Sequence, residues 1–247
     1  MTPNVTDPGR IVAHRGASMA RPENTLSAFR AAHDQGAFWV EFDVSVLGDG
    51  TAVVHHDATL ERCTDATGPL SAISEQDLER IRVGGTEALP TLDQALDLIH
   101  DLGFYANLEI KCHDIAPGIM AETVARALTS RPWTKTRIVT SSFQHDALRA
   151  LRGLMPQAPL AVLYDQPAEG WLKTVADLNA AALHLHFTHL SESLLKDARR
   201  AQLDVRVFTI NEAGLLVAFR DMGLTGVMTD HPPIFLGDPG WAAWAEG

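Results

Sequence analysis

Short apolar runs alternate along the chain with longer segments in which apolar residues recur every three or four positions. A short apolar run bounded by turn residues is typical of a buried strand, and the three-to-four spacing is typical of a helix with one buried face. The short runs predict eight strands, near residues 10–14, 38–45, 105–111, 137–141, 159–164, 182–186, 204–210 and 226–230. The longer segments predict helices between these strands.

Capping residues and glycines mark the ends of four predicted helices. The first extends from about Thr25 to Gln35. The second begins at Thr91, where the sequence TLDQ has the form of a capping box. Glycine suits the left-handed backbone that commonly follows a helix. The glycines expected to end the four helices are Gly36, Gly103, Gly153 and Gly223.

This strand–helix alternation predicts parallel strands joined by helical crossovers. Eight strands favour a closed TIM (β/α)8 barrel over an open doubly wound sheet. The first turn also lacks the G-x-G-x-x-G pattern that a dinucleotide-binding sheet would carry there. A chain of 247 residues has the usual length of one such barrel. We therefore expect residues 1–247 to form a single barrel domain.

One connection is longer than the others. After the second strand, GDGTAVVHHD predicts a turn and an extension of the strand. Residues 58–89 then precede the second helix, whereas connections between a strand and the following helix usually have about 2–6 residues. This segment is therefore expected to be a small insertion. Within it, SEQDLERI predicts a short helix capped by Ser74.

Charge and composition limit the classes of function. The formal net charge of −11 disfavours nucleic acid and anionic membrane surfaces as partners. No apolar run approaches the length of a membrane-spanning helix, and MTPNVTDPGR has no apolar core of a secretory signal. Cys63 and Cys112 are too few for a disulfide framework. We therefore expect a cytoplasmic protein, and an anionic substrate would need positive charge within its own site.

Charged and titratable side chains lie at the ends of the first three predicted strands and in the extension of the second. They are His14, Arg15, Glu41, Asp43, His56, Glu109 and Lys111. The carboxyl ends of barrel strands are where active sites lie. Strand residues two apart share a face, so Glu41 and Asp43 should point the same way. With Glu109 there would be three converging carboxylates, which would repel one another unless a cation joins them, and Mg²⁺ or Ca²⁺ prefers oxygen ligands.

The basic residues of this group complete a site for a phosphate. A guanidinium binds phosphate with two hydrogen bonds and an ammonium binds it as a point charge, which suits Arg15 and Lys111. Imidazole titrates near neutral pH, so His14 and His56 suit acid–base catalysis. Each element alone is more often structural, since E-x-D and E-x-K also occur as rim carboxylates and ion pairs. Their combination favours a catalytic site.

In order, the runs HRG, PENT, E-x-D, DG, HD and E-x-K resemble the glycerophosphodiester phosphodiesterase family. The resemblance continues through SSF, FTIN and TDHP, covers nearly the whole chain, and is strongest to short bacterial cytoplasmic members. It implies a TIM barrel with a small insertion after the second strand. It also implies hydrolysis of glycerophosphodiesters to glycerol 3-phosphate and an alcohol.

The resemblance also implies a role for particular residues. The implied metal ligands are Glu41, Asp43 and Glu109, the implied catalytic histidines are His14 and His56, and the implied phosphate contacts are Arg15 and Lys111. Supporting positions are Glu23, Asn24, Asp57 and Asn211. Phe208 stands where relatives usually carry tryptophan, so the apolar wall toward the substrate is kept and an N–H donor is lost.

Two other functions fit the same fold. A lysophospholipase D-type or cyclic-phosphate-forming phosphodiesterase would need an apolar lip for acyl chains, and the polar insertion disfavours it. A non-catalytic binding protein would have lost at least one catalytic group, and none is missing here. The remaining histidines show no comparable cluster: His55 should point away from His56, and His113 stands alone. The expected partner is a small-molecule glycerophosphodiester, and the oligomeric state is left open.

Overall fold

The computed structural model describes residues 10–245. Its main feature is a closed ring of eight parallel strands, because the first strand pairs with both the second and the last. In chain order they are β1 Ile11–His14, β2 Trp39–Val46, β3 Tyr105–Ile110, β4 Ile138–Ser142, β5 Leu160–Tyr164, β6 Ala182–His186, β7 Asp204–Phe208 and β8 Gly226–Thr229. The predicted TIM barrel is confirmed. The expectation about the extreme N-terminus concerns residues 1–9, which lie outside the described part of the chain.

Helices connect the strands and surround the barrel. They are α1 Leu26–Asp34, α2 Leu92–Asp101, α3 Pro117–Thr129, α4 Thr134–Arg137, α5 His145–Leu154, α6 Trp171–Asp177, α7 Glu192–Arg200, α8 Val217–Arg220, α9 Pro233–Leu236 and α10 Pro239–Ala245. Thr25 caps α1 and, as predicted, Thr91 forms a capping box with Gln94 at α2. None of the helices found between residues 10 and 245 is long and apolar enough to cross a membrane.

The glycine predictions were correct for the first two helices and wrong for Gly153. Gly36 and Gly103 follow α1 and α2 with φ of +86° and +73°. Gly153 instead lies inside α5, which continues to Leu154. Pro156 explains the later stop, because a residue that precedes proline is disfavoured in helical geometry. Met155 accordingly leaves the helix with φ −130° and ψ 78°.

The segment after β2 folds back before it leaves the barrel. A short strand, Ala52–Val54, runs antiparallel to the end of β2, so the expected strand extension is the second arm of a hairpin. The insertion then forms the 3₁₀ helices Leu70–Ala72 and Glu75–Arg80 and the two-residue strands Arg82–Val83 and Glu87–Ala88. Ser74 caps the second 3₁₀ helix, where its N–H donates to the Asp77 carboxylate (2.8 Å). These elements bury their own apolar cluster.

The inside of the barrel is mainly apolar at the amino-terminal ends of the strands and polar at their carboxyl ends. Side chains of Val12, Trp39, Val139, Ala161, Ala182 and Met228 fill the amino-terminal end of the strands. The Arg206 guanidinium lies 4.0 Å from the centre of the Trp39 ring at this end. Because strand residues two apart share a face, the next inward positions are His14 on β1 and Glu41 on β2. The polar residues of the first strands therefore lie at the carboxyl end of the barrel.

Candidate active site

Strand register brings the acidic residues together. His14 lies beside Glu41 in the β1–β2 pairing, and Asp43 lies beside Glu109 in the β2–β3 pairing. Paired residues of parallel strands point to the same face. In residues 10–245, Glu41, Asp43 and Glu109 are the His, Cys, Asp or Glu side chains that lie close enough to share one metal ion, with ligand atoms within 4.8 Å of one another.

The three carboxylates are buried and lack full compensation. Their exposed fractions are 2% for Glu41, 1% for Asp43 and 8% for Glu109. The Arg15 backbone N–H donates to Glu41 Oε2 (3.0 Å), whereas Glu41 Oε1 has no hydrogen-bond partner among the described residues. Burial and the neighbouring carboxylates raise the pKa of Glu41 well above its usual range. Burial likewise raises the pKa of Glu109 to about 7. A divalent cation fits this cluster because it would supply the missing positive charge to hard oxygen ligands.

Two cations lie beside Asp43. Arg15 Nε is 3.1 Å from Asp43 Oδ2, and Lys111 Nζ is 3.2 Å from Asp43 Oδ1. Lys111 also contacts the Glu109 carboxylate. Burial opposes ionisation of Asp43, but the charges of Lys111 and Arg15 outweigh it and hold its pKa below the usual range. Three carboxylates face two cations, so full ionisation of the cluster would leave negative charge that a metal ion can neutralise.

His14 is oriented by a residue from the other end of the chain. Its Nδ1 lies 2.7 Å from Asp230 Oδ1, just after β8. Ser18 Oγ and Asn211 Nδ2 also donate to the Asp230 carboxylate, at 3.0 and 2.8 Å. Burial opposes ionisation of Asp230, yet these hydrogen bonds lower its pKa to about 2. A carboxylate at Nδ1 leaves the other ring nitrogen facing the barrel, where Nε2 lies 3.9 Å from Glu41 Oε2.

His56 has the same kind of support from its own neighbour. His56 Nδ1 lies 2.5 Å from Asp57 Oδ1. Burial lowers the pKa of His56, and the opposing charge of Asp43 only partly offsets this. His55 points away, as expected, and donates through Nε2 to the Thr59 carbonyl (3.0 Å). Both expected catalytic histidines therefore present a ring nitrogen that a carboxylate does not occupy.

The PENT turn holds Asp43 in place through hydrogen bonds with Asn24. Asn24 adopts φ +59° and its side-chain amide donates to Asp43 Oδ2 (2.8 Å). Its carbonyl oxygen accepts the Asp43 backbone N–H (3.2 Å). Glu23, the neighbouring residue, accepts from Arg15 NH1 at 2.8 Å. The turn thus orients one carboxylate of the acidic cluster and one guanidinium.

Aromatic side chains line one side of the opening. The Phe208 ring meets the rings of Phe143 and His186 edge to face, with centroids 5.9 and 6.1 Å apart. Phe143 in turn lies below Lys111 Nζ, 5.6 Å from the ring centre. Phe208 therefore belongs to an aromatic cluster near the Lys111 ammonium group, and its contact with the substrate stays a prediction.

Three residues at or beside this site have contacts that the sequence did not predict. Asp230 belongs to the TDHP run that follows the last predicted strand, but nothing in the sequence paired it with His14. Arg62 lies in the insertion and hydrogen-bonds both Asp57 and Glu23. His113 was expected to stand alone and does not: Ser45 Oγ lies 3.1 Å from its Nε2, and burial together with the charges of Lys111 and His56 lowers its pKa.

Comparison with known proteins agrees with this geometry. Residues 14–234 match the model of the glycerophosphoryl diester phosphodiesterase family. A glycerophosphodiester phosphodiesterase of Bacillus altitudinis is 30% identical over 238 residues, which cover 90% of this chain and 95% of that protein. One from Caldanaerobacter subterraneus is 29% identical and covers 90% of this chain and 94% of its own.

A solved structure shows the same similarity in three dimensions. An Oleispira antarctica phosphodiesterase in complex with the product sn-glycerol-3-phosphate superposes with a TM-score of 0.86 at 30% identity, over 90% of this chain and 93% of that one. The family match spans nearly the whole barrel, including every residue from His14 to Asp230 that forms the acidic and histidine cluster. The chain therefore belongs to the glycerophosphoryl diester phosphodiesterase family and is an enzyme of that class.

Proposed function

We propose that this enzyme hydrolyses glycerophosphodiesters to glycerol 3-phosphate and an alcohol, with a divalent cation and two histidines. The observation that carries the proposal is the buried cluster of Glu41, Asp43 and Glu109 at the carboxyl end of the barrel, bordered by two cations and two carboxylate-backed histidines. The product named for the Oleispira phosphodiesterase supports the same substrate class.

Each group has a distinct role in this proposal. Glu41, Asp43 and Glu109 would hold the cation, either Mg²⁺ or Ca²⁺. The bound ion supplies electrostatic stabilisation of charge on the phosphoryl oxygens. Arg15 and Lys111 bind the phosphate from the same side, since both already lie against Asp43. Phe208 contributes the apolar wall for the substrate carbon atoms.

The two histidines move protons. His56 takes the proton of the substrate's own 2-hydroxyl, whose oxygen forms a bond to phosphorus. His14 gives a proton to the departing alcohol oxygen as the old phosphorus–oxygen bond breaks. Water then opens the cyclic 1,2-phosphate while the histidines exchange roles. The intramolecular hydroxyl is favoured over water because it is already confined beside phosphorus.

We further propose that the chain is a single barrel domain with a small insertion, acting in the cytoplasm. The two cysteines of the sequence are free thiols, which suits a reducing compartment. The apolar residues of the insertion, including Leu60, Leu70 and Leu78, are buried in its own cluster. They leave no apolar lip for acyl chains there, which favours water-soluble diesters over lysophospholipids.

The direct test is release of glycerol 3-phosphate from glycerophosphocholine. We expect turnover with Mg²⁺ or Ca²⁺, loss of turnover in excess EDTA, and recovery when the ion is restored. Glu41→Gln should abolish turnover because it removes a charged ligand. The matched control is Glu192→Gln, which removes an exposed carboxylate that pairs with Lys196 on α7. Full activity in excess chelator would exclude the metal-dependent mechanism.

The nucleophile has its own test. A propane-1,3-diol phosphocholine lacks the 2-hydroxyl and keeps the phosphate. We expect it to bind as a competitive inhibitor and to turn over at least about a thousandfold more slowly, or roughly 4 kcal/mol in the barrier. Comparable turnover of the two diesters would show that water attacks the phosphorus directly.

A further inference from the structure

The site has two arms, His56 with its partner Asp57 and Arg15 with its partner Glu23. Arg62, a residue of the insertion, contacts both. Its Nε donates to Asp57 Oδ2 (2.5 Å) and its NH2 to Asp57 Oδ1 (3.1 Å). The same guanidinium donates to Glu23 through NH1 and NH2, each at 2.9 Å. One planar group therefore forms two-pronged hydrogen bonds with two carboxylates from different segments of the chain.

Each carboxylate serves a different functional group. Asp57 is the partner of His56 Nδ1 at 2.5 Å. Glu23 accepts from Arg15 NH1 at 2.8 Å, and Arg15 continues the chain of contacts to Asp43. Arg62 is thus one residue removed from the histidine on one side and from the phosphate-binding arginine on the other.

Electrostatics make this arrangement depend on Arg62. Without the Arg62 guanidinium between them, the negatively charged Glu23 and Asp57 would repel each other at the edge of the site. Burial opposes ionisation of Glu23, but the hydrogen bonds from Arg62 and Arg15 lower its pKa to about 2. The positive charge of Arg62 therefore offsets the repulsion between the two carboxylates and holds them close together.

We propose that Arg62 is a positioning residue that fixes His56 through Asp57 and Arg15 through Glu23, so that the insertion sets the geometry of both arms. The inference rests on the proposed function, because it assigns a role in turnover to His56 and Arg15. Arginine is required because its donors lie in one rigid plane and reach two carboxylates at once. Lysine carries the same charge but presents it as a point and cannot form both two-pronged contacts.

The experiment compares Arg62→Ala and Arg62→Lys with Arg80→Ala. Arg80 is exposed and ends the 3₁₀ helix Glu75–Arg80 of the same insertion, so its removal changes the charge equally. We expect Arg62→Ala to lower kcat/KM by about 10–100-fold, the usual effect of losing a residue that orients functional groups. Arg62→Lys should lie closer to Arg62→Ala than to the wild type, and Arg80→Ala should match the wild type. Millimolar guanidinium should partly restore Arg62→Ala, whereas sodium at equal ionic strength should not.

A coupled variant separates positioning from a general loss of stability. In an enzyme that already carries Glu23→Gln and Asp57→Asn, Arg62→Ala should cost less than about threefold, because the groups through which it acts are gone. The same 10–100-fold loss in both backgrounds would overturn the proposal. So would wild-type kcat/KM in the folded Arg62→Lys variant.

The last readout does not need activity. In protein labelled with nitrogen-15 at histidine, the wild type at pH 8 should show His56 with its proton on Nδ1, where Asp57 accepts it. Arg62→Ala should show a mixture of the two tautomers, and Arg80→Ala should keep the wild-type spectrum. An unchanged tautomer in folded Arg62→Ala would overturn the inference. A wild type that releases no glycerol 3-phosphate but shows the tautomer change would instead overturn the proposed function and leave the positioning of His56 supported.

Discussion

At the scale of single residues, two buried carboxyl groups of the same cluster differ in the direction of their pKa shift because their neighbours differ. Burial raises the pKa of Glu109 to about 7, although Lys111 lies against it. Asp43, equally buried, keeps a pKa below its usual range because Lys111 and Arg15 both face it. Two-residue spacing in the sequence relates Asp43 to Glu41 and Glu109 to Lys111, but contacts between segments, such as those of Arg15 and Lys111 with Asp43, determine the direction of each pKa shift.

Glu109→Gln and Lys111→Met should therefore fail in different ways. Glu109→Gln removes a negative ligand, so the concentration of Mg²⁺ or Ca²⁺ needed for activity should rise. Lys111→Met removes a phosphate contact, so kcat/KM should stay low at saturating metal. The measurement is kcat/KM across a metal titration for both variants. Full recovery of both variants with extra metal would show that Lys111 serves as a structural ion pair.

Glu23 gives a stability prediction with a definite sign. Its pKa falls from 4.5 to about 2 on folding because the hydrogen bonds from Arg62 and Arg15 outweigh burial. A carboxylate with a lowered pKa contributes stability that is present above about pH 4.5 and is lost as the pH falls toward 2. Glu23→Gln should thus be destabilised at pH 7 and should approach the wild type near pH 2.

Urea denaturation at pH 7, 4.5 and 3 measures this difference. The exposed Glu79 lies in the same insertion, and Glu79→Gln serves as the control. A difference in unfolding free energy between Glu23→Gln and the wild type that is constant from pH 7 to pH 3 would contradict the pKa assignment.

At the scale of elements, the turns that join strands to helices fix where the functional side chains stand. Gly16 follows the HR pair with φ +81°, and a Cβ there would come within 2.7 Å of Ala28 in α1. That close approach brings α1 against the end of β1 and lets the Asn24 turn reach Asp43. The end of α5, in contrast, is set locally by Pro156, which follows Met155 in the sequence.

Two glycine substitutions test the corrected boundary of α5. Gly153 lies inside the helix with open space at its Cβ position, so Gly153→Ala should stabilise the protein by about 0.5–1 kcal/mol. Gly103 also has open space but φ of +73°, so Gly103→Ala should destabilise by about 1–2 kcal/mol. Free energies of unfolding from chemical denaturation give the comparison. Stabilisation by Gly103→Ala, or destabilisation by Gly153→Ala, would contradict these backbone assignments.

At the scale of the whole molecule, closure of the barrel joins the two ends of the chain at one site. Pairing of β1 with β8 brings Asp230 beside His14, although they are 216 positions apart. The acidic cluster meanwhile joins β2 and β3 and has more carboxylates than the two cations beside it. A cation that binds this cluster binds only the folded chain, so metal binding and stability of the whole barrel are coupled.

Mg²⁺ or Ca²⁺ should therefore raise Tm. At about 100 times Kd the added stability is about 2.7 kcal/mol, which corresponds to about 5–10 °C for a chain of this size. Glu41→Gln should lose this shift, and Glu192→Gln on α7 should keep it. Thermal unfolding followed by circular dichroism measures the shift. An equal shift in Glu41→Gln would place the ion elsewhere.

The sequence by itself determined the features that depend on local periodicity and spacing. Alternation predicted the eight strands, and the two-residue spacing predicted that Glu41 and Asp43 share a face, because both follow from the geometry of a single strand. Tertiary structure alone decided the partners: Asp230 for His14, and Glu23 together with Asp57 for Arg62. Asp57 lies five positions before Arg62, whereas the contacts of His14 with Asp230 and of Arg62 with Glu23 join distant segments. Local residue pattern carries no information on which groups closure of the barrel and folding of the insertion bring within hydrogen-bond distance.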